Sequence, residues 1–203
     1  MTEPLLYFHR TSLLDDPPQC SIHTYHFKPY KGFTDAWEQR KLGDVVEFYP
    51  GLTYSPSDIV NSEGTLVLRS SNVKDGAIID ADNVYVSSQI VNSRNVEIGD
   101  IIVVVRNGSR KLIGKNAPVK AEMQNTVIGA FMTGLRSEQS SFFNALLNTQ
   151  QFDKEITKNL GATINQITTG SFKEMAFYVS CKTEQAIIGN FFRTLDDIIT
   201  LCG

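Results

Sequence analysis

Four short apolar runs in the middle of the chain most limit the folds that are open to it. They are TLVLR, NVYVS, IIVVV and TVIGAFM, which begin at residues 65, 83, 101 and 126. Each is rich in β-branched or aromatic residues and is bounded by glycine, asparagine, aspartate or proline, as strands are. The middle of the chain is therefore predicted to form β-sheet, and the polar segments between the runs become loops that the sheet holds.

Helical periodicity replaces this pattern after residue 136. The stretch SEQSSFFNALLNTQQFDKEITKNLG predicts one helix, or two with a break near Thr149, that ends at Gly161. A short strand, MAFYV, follows, and a last helix is expected to begin with Thr183 as its N-cap. Apolar residues recur along that helix at steps of three and four, which predicts packing on a partner helix in this chain or another. The residues of this seam are Ile188, Phe191, Leu195 and Ile198.

Composition limits the class of protein and its compartment. The 203 residues are 41% hydrophobic, enough for a real core, and the net charge of −3 gives no overall attraction to anionic partners. Any such attraction must come from local clusters of charge. Three widely spaced cysteines, no secretory leader and no apolar run of bilayer length predict a cytoplasmic protein outside the membrane.

The clearest local cluster of charge lies in IIVVVRNGSRKLIGKNAPVKA, from residue 101 to 121. This stretch has five arginines and lysines and no acidic residue. Lysine and arginine bind phosphates, and arginine or asparagine can read guanine or adenine in the major groove. The alternative is a solvated hairpin with an ordinary Asn-Gly turn, which is equally compatible with this segment alone. The candidate DNA-binding residues here are Arg106, Asn107, Ser109, Arg110, Lys111 and Lys115.

Two other polar loops have similar chemistry. LRSSNVKDGAI follows the first predicted strand, and GATINQITTG lies between the helical region and the last strand. Taken singly, the first also fits a turn capped by serine and asparagine side chains, and the second a plain helix-to-strand connection. Their candidate DNA-binding residues are Arg69, Ser71, Asn72 and Lys74 in the first loop, and Thr163, Asn165 and Gln166 in the second.

Catalytic and metal-binding patterns are weak. The sequence DPPQ at residue 16 is similar to the D-P-P-aromatic motif of amino-methyltransferases, but Gln19 cannot stack on a flipped base. No glycine-rich cofactor turn follows a strand, and all three histidines lie within the first 26 residues. Cys20, His23 and His26, with His9, could hold zinc, but such a set in an irregular arm is more often accidental. We expect neither an enzyme nor a bound metal or cofactor.

Six segments in order carry a resemblance to one target recognition domain of the DNA specificity subunit of bacterial type I restriction-modification systems. It covers roughly Gly32 to Leu201. The segments are GFTDAWEQRKLGDV, LVLRSSNVKDG, IGDIIVVVRNGSRKLIGK, NTVIGAFMTGLR, NLGATINQI and EQAIIGNFFRTLDDIITL.

The resemblance implies a mixed α/β fold with a curved, partly barrel-like sheet that reads one half of a split double-stranded DNA target. A C-terminal helix then serves as a spacer. Residues 1–31 show no sustained periodicity and are expected to form an irregular arm, and the resemblance then implies a recognition domain at 32–182 and a spacer helix at 183–203. The implied partners are methyltransferase subunits and, through the assembled enzyme, the restriction subunit. AdoMet, ATP and Mg are expected only in those partner subunits.

The chain departs from the family pattern in having a single recognition domain and a spacer helix that stops at Gly203. We therefore expect a truncated subunit, and whether it forms a homodimer stays open. Two hypotheses follow. The first is a non-catalytic half-subunit that reads DNA. The second is a remnant that docks the methyltransferase subunit without reading DNA; an independent methyltransferase or nuclease is disfavoured.

Overall fold

The computed structural model describes residues 37–61, 63–160 and 165–202. The predicted N-terminal arm, the weighed zinc set within it and Thr163 lie outside the described residues. The predicted domain boundaries therefore stay predictions.

Short strands and helices alternate along the described chain. The strands are β1 (Glu38–Lys41), β2 (Glu47–Pro50), β3 (Ile59–Val60), β4 (Thr65–Leu68), β5 (Val73–Lys74), β6 (Ala77–Ile78), β7 (Val84–Val86), β8 (Ile101–Val104), β9 (Asn116–Pro118), β10 (Thr126–Ile128), β11 (Met132–Arg136) and β12 (Ala176–Val179). The helices are α1 (Leu42–Val45), α2 (Ser140–Leu147), α3 (Gln150–Asn159), α4 (Thr169–Glu174) and α5 (Lys182–Cys202).

The strands of the described chain form four separate sheets. One four-stranded sheet has the order β10-β4-β7-β3, in which only the β10–β4 pair is parallel. The other has the order β2-β11-β8-β9 and is antiparallel throughout. Two-stranded sheets are formed by β1 with β12 and by β5 with β6. The predicted mixed α/β class is confirmed.

The run TVIGAFM is not one strand, and the prediction of a single strand there is wrong. β10 ends at Ile128 and β11 begins at Met132, and the two strands belong to different sheets. A Cβ on Gly51 would stand 2.0 Å from the carbonyl oxygen of Gly129, and Leu52 N–H donates to Ile128 O at 2.7 Å. This close backbone crossing joins the two four-stranded sheets and turns the chain between Ile128 and Met132.

The helical region follows the predicted pattern at one boundary and departs from it at another. The predicted break at Thr149 is confirmed: this residue ends the α2 region and caps α3, its Oγ1 accepting from Phe152 N–H at 3.3 Å. The predicted N-cap at Thr183 is wrong, because α5 already begins at Lys182. β1 was not predicted, since all of its residues are exposed and it has no apolar alternation.

The main core lies between the β2-β11-β8-β9 sheet and the helices. All four residues of β8 are buried, because β11 and β9 flank this strand and side chains cover both of its faces. That position explains an apolar run without alternation. The largest fully buried side chains include Phe143, Phe152, Phe172 and Phe177.

A buried polar cluster fixes one end of this sheet. The side chain of Asp100 is 2% exposed, and its carboxylate accepts from Tyr49 Oη at 2.7 Å and from Glu97 N–H at 2.9 Å. Arg136 donates to it twice, through Nε at 2.7 Å and Nη2 at 2.8 Å. Burial, together with the hydrogen bond to Asp100, raises the pKa of Tyr49, so the phenol stays a donor. The hydrogen bond to Asp100 likewise raises the pKa of Arg136.

Removing the buried acceptor should destabilise the fold. We expect Asp100→Ala to lower the free energy of unfolding by about 3 to 5 kcal/mol, because Tyr49 and Arg136 lose their buried partner. Urea unfolding measures this. The matched control is Glu97→Ala, which removes an exposed carboxylate from the same arginine and should cost less than about 1 kcal/mol. Equal losses for the two variants would contradict the importance of the buried cluster.

Candidate nucleic-acid interface

Three loops that are far apart in sequence meet beyond the other end of the β2-β11-β8-β9 sheet. Asn107 Nδ2 donates to Ser70 Oγ at 2.9 Å, across 37 residues. Asn165 Nδ2 donates to Gly108 O at 2.9 Å, across 57 residues, and Asn107 N–H donates to Asn165 O at 3.2 Å. The loops predicted from sequence to bind DNA therefore form one surface, which we call the loop surface: residues 69–74, 105–115 and 165–168.

The β8–β9 loop is built on a closed base rather than on an Asn-Gly turn. Gly114 N–H donates to Val104 O, and Val104 N–H donates to Lys115 O, both at 2.9 Å. Neither Asn107 nor Gly108 is among the positive-φ residues of the described chain, so the alternative of a tight Asn-Gly hairpin does not form. Asn107 Oδ1 instead accepts from Ser109 N–H at 2.9 Å and shapes the loop from within.

The loop after β4 contains Asp75-Gly76, a dipeptide that tolerates the positive φ of tight turns, and it does form a tight hairpin. Asp75 and Gly76 have φ of 50° and 73° and connect β5 directly to β6. Positive φ at both central residues is the geometry that an Asp-Gly pair favours. The loop after β4 is thus a small hairpin that projects beside the β8–β9 loop.

Five cations of the loop surface are exposed and have no acidic partner within the described residues. Within the described residues, the side chains of the exposed set below make no ion pair, whereas Arg94 pairs with Glu47 at 2.5 Å and Lys120 with Asp197 at 3.7 Å. Cations without an acidic partner keep their full charge for phosphates. The exposed set comprises Lys74, Arg106, Arg110, Lys111 and Lys115.

The loop after β4 places its polar residues differently from what the sequence indicates. Asn72 is fully buried: its Oδ1 accepts from Arg69 N–H at 2.8 Å, and its Nδ2 donates to Ala81 O at 2.6 Å. The Ser71 hydroxyl is buried without a partner, and the Arg69 guanidinium donates to Asp82 O. Asn72 thus holds the hairpin together and presents no polar atom to a DNA base, so we remove it from the proposed contact set.

Phe131 is a prominent residue of this region that sequence reasoning missed. Its side chain is 51% exposed, and the Arg106 guanidinium carbon lies 4.8 Å from the centre of its ring. Its exposure was not predicted, because the run TVIGAFM was interpreted as a single strand. The one sequence signal for it was Gly129, which can mark a break inside a strand pattern.

The segment 165–168 is anchored beside Arg106. Gln166 forms an isolated antiparallel bridge with Arg106, and Ile167 N–H donates to Val105 O at 2.9 Å. Asn165 and Gln166 are both half-buried. The backbone of this segment therefore pairs with the first residues of the β8–β9 loop.

The predicted partner-helix seam divides into two parts. A Cβ on Gly189 would lie 2.5 Å from Phe142 N, so the first half of α5 packs tightly on α2, and Ile188 is half-buried against the core. Phe191, Leu195 and Ile198 are instead 50%, 39% and 52% exposed. The second half of α5 carries an apolar face that the described chain does not cover.

A groove of about 560 Å³ lies at the opposite end of β11 from Phe131, beside the start of α5. Its lining includes Glu38, Asp44 and Glu138 as well as Arg40 and Lys182. That mixture of charges does not favour a polyanion. Among the described residues there is no cluster of metal-ligating side chains, and no described helix is long and apolar enough to cross a membrane.

A mixed α/β domain that gathers unpaired cations and amide side chains on interlocked loops has the features of a nucleic-acid-binding domain. The comparison with protein families is more specific. The chain belongs to the type I restriction modification DNA specificity domain family, which matches residues 34–202. The family is one of DNA specificity in type I restriction modification rather than of catalysis. A search of curated protein sequences finds no significant match.

Solved structures of the same kind share the fold. One, from a study of complex assembly and conformational transition of the type I R-M system, has a TM-score of 0.63 at 16% identity and covers 82% of this chain. The HsdS subunit from Thermoanaerobacter tengcongensis has a TM-score of 0.58 at 15% identity over 81% of this chain. The S subunit from M. genitalium has 0.55 at 16% over 84%. The matches cover 40%, 38% and 41% of those chains, so this chain corresponds to about two fifths of each.

The role assigned to Asn72 can be tested by removing its amide. Asn72→Ala removes the acceptor of Arg69 N–H and the donor to Ala81 O, and we expect a loss of about 1 to 3 kcal/mol in unfolding free energy. Amide hydrogen exchange should also rise in residues 69–83. The neighbouring Ser71→Ala removes a buried hydroxyl that has no partner, so it should be neutral or slightly stabilising. Unchanged exchange in Asn72→Ala would show that the hairpin does not depend on this side chain.

Proposed function

We propose that this chain reads one half of a split double-stranded DNA target as a non-catalytic part of a type I restriction-modification enzyme. The observation that carries the proposal is the convergence of the three loops, with five exposed cations that have no acidic partner within the described chain. A surface of this kind combines phosphate contacts, which position a protein on DNA, with side chains able to read base edges.

The contacts within the loops suggest a division of roles. Lys111 and Lys115 are exposed and would contact phosphates, whereas Arg106 and Arg110 would read bases. Asn107 uses its amide on Ser70 and its side-chain oxygen on Ser109 N–H, so its main task is to hold the loops together. The Gln166 side chain lies beside Arg106 and makes no hydrogen bond within the described residues, which makes it a third candidate for base reading.

Partners would supply the catalysis. The proposal includes docking to methyltransferase subunits and, through the assembled enzyme, to the restriction subunit, all in the cytoplasm. AdoMet, ATP and Mg would be bound by those partners and not by this chain. The similar structure described in terms of type I complex assembly supports this arrangement.

The exposed half of α5 supports a second function, either in addition to DNA reading or in its place. Phe191, Leu195 and Ile198 lie on an exposed apolar face that is suited to packing on another helix. A methyltransferase subunit is the partner we propose, and a second copy of this chain is the alternative. Docking of this kind depends little on salt, whereas DNA binding weakens with a log-log slope of about −0.9 for each phosphate neutralised.

Selection from a random pool of duplex DNA, with and without a cognate methyltransferase subunit, tests the DNA-reading function. We expect enrichment of a motif of a few base pairs.

Arg110→Ala should then cost about 1 to 3 kcal/mol of binding free energy on the selected duplex and relax the sequence specificity, because a base contact is lost. Lys115→Ala should weaken binding to all sequences alike and reduce the salt slope by about 1.

Lys154→Ala is the matched control for charge, since Lys154 is exposed on α3 outside the loop surface. It should leave affinity and salt slope unchanged. A folded protein that enriches no motif under either condition would overturn the DNA-reading function and leave the docking function.

The docking face can be tested by placing a charge in it. Leu195→Glu should weaken capture of the methyltransferase subunit, or self-association measured by sedimentation, by about tenfold or more, because the charge loses its hydration in the contact. Arg193→Gln changes the net charge by the same amount at an exposed position off this face, and should have no effect. If Leu195→Glu leaves both associations intact, α5 does not provide the docking face.

A further inference from the structure

Arg106 of the loop surface forms a pair with Phe131, which lies beside that surface. Among the exposed large apolar side chains of the described residues, Phe131 is the one that stands beside these loops. The Arg106 guanidinium covers one face of its ring and makes no ion pair or hydrogen bond within the described chain. Because the Arg106 guanidinium covers one face of the Phe131 ring, the other face of the ring is left for a ligand.

The placement of the two side chains is set by the backbone and not by chance contact of flexible groups. Phe131 O accepts from Val105 N–H at 3.0 Å and from Arg106 N–H at 3.2 Å. The adjoining residues Met132 and Val104 are paired in register between β11 and β8. Gln166 bridges Arg106 from the other side. Because the guanidinium rests on the ring, less conformational entropy is lost when Arg106 binds a planar partner.

The distance between the two groups is longer than the spacing of stacked bases and fits that spacing only with a lateral offset. Bases along a strand are about 3.4 Å apart, and a bidentate arginine lies in the plane of the guanine that it reads. The guanidinium carbon of Arg106 is 4.8 Å from the ring centre of Phe131. An arginine coplanar with a guanine would therefore place the Phe131 ring at the level of the next base pair, offset to one side.

The group that a phenyl ring can recognise at that level in the major groove is the C5-methyl of a pyrimidine. We propose that Arg106 and Phe131 act as one unit that reads a guanine next to a 5-methylpyrimidine, with Arg106 on the guanine edge and Phe131 on the methyl group. The proposal rests on the DNA-reading function above and names the base step that this surface selects. The methyl can belong to thymine or to 5-methylcytosine, and the two sources are distinguished below.

The test uses the full chain and the duplex obtained by selection. Replacing the thymine beside the guanine with deoxyuridine removes only the methyl group, and should weaken binding about fourfold, the effect of one buried methyl-sized group. In Phe131→Ala the same replacement should have no effect, because the ring that senses the methyl is gone. If the selected base is cytosine, 5-methylcytosine in its place should strengthen binding about fourfold in the unaltered protein alone.

The arginine is tested with 7-deazaguanine, which lacks the N7 acceptor. This base should weaken binding by the unaltered protein and have no further effect on Arg106→Ala. Ile98→Ala is the control for Phe131→Ala, because Ile98 is 65% exposed and lies before the opposite end of β8. It should retain the full response to the methyl group.

The failures of the two proposals are distinguishable. A selected motif without a guanine beside a pyrimidine would overturn the Arg106–Phe131 unit and leave the DNA-reading function standing. So would equal affinity for thymine and deoxyuridine duplexes, the result expected if Phe131 instead inserts between base pairs as a wedge. No enriched motif would overturn both. The deoxyuridine comparison on the unaltered protein needs no variant, so misfolding of Phe131→Ala cannot obscure it.

Discussion

The carboxylate of Asp100 is the constraint on which the architecture depends. It is almost fully buried, and two donors from Arg136, the Tyr49 hydroxyl and the Glu97 amide satisfy it. Its side-chain partners Tyr49 and Arg136 belong to β2 and β11, while Asp100 itself leads directly into β8. Because a buried charge without partners is very costly, this arrangement permits essentially one register for the three strands. That register fixes the opposite end of the sheet, where β8 runs into the β8–β9 loop and Phe131 leads into β11.

The loops of the loop surface are held in place by that sheet and by contacts between the loops. Asn107 is bonded to Ser70 and to the backbone of Asn165, so loops from distant parts of the chain constrain one another. Most cations around the sheet and on the helices are neutralised by acidic neighbours, but those of the β8–β9 loop are not. An acidic chain can therefore present a locally positive, pre-organised surface. Such a surface suits a domain whose family recognises DNA sequence, since rigid loops lose little entropy when they bind.

The sequence predicted the local elements better than their connections. Strands at 65 and 101, the helix break at Thr149 and the Asp75-Gly76 hairpin follow from composition, periodicity and turn chemistry. The split of TVIGAFM does not, because it arises from the backbone contact between Gly51 and Gly129, which only the folded chain brings together. The burial of Asn72 was missed for a similar reason: an asparagine that binds DNA and one that holds a hairpin look alike in sequence. The three loops were found from polar composition, whereas Phe131 required the sheet topology.

We propose the interlocked loops, and not the helical face or the mixed-charge groove, as the DNA-binding surface. Amide hydrogen exchange of the full chain, with and without its selected duplex, tests this most directly. DNA binding should add protection in residues 69–74, 105–115, 129–131 and 165–168 and leave α5 and the groove beside Glu38 unchanged. Protection confined to α5 or to that groove, with the loops exchanging as in the free protein, would contradict it.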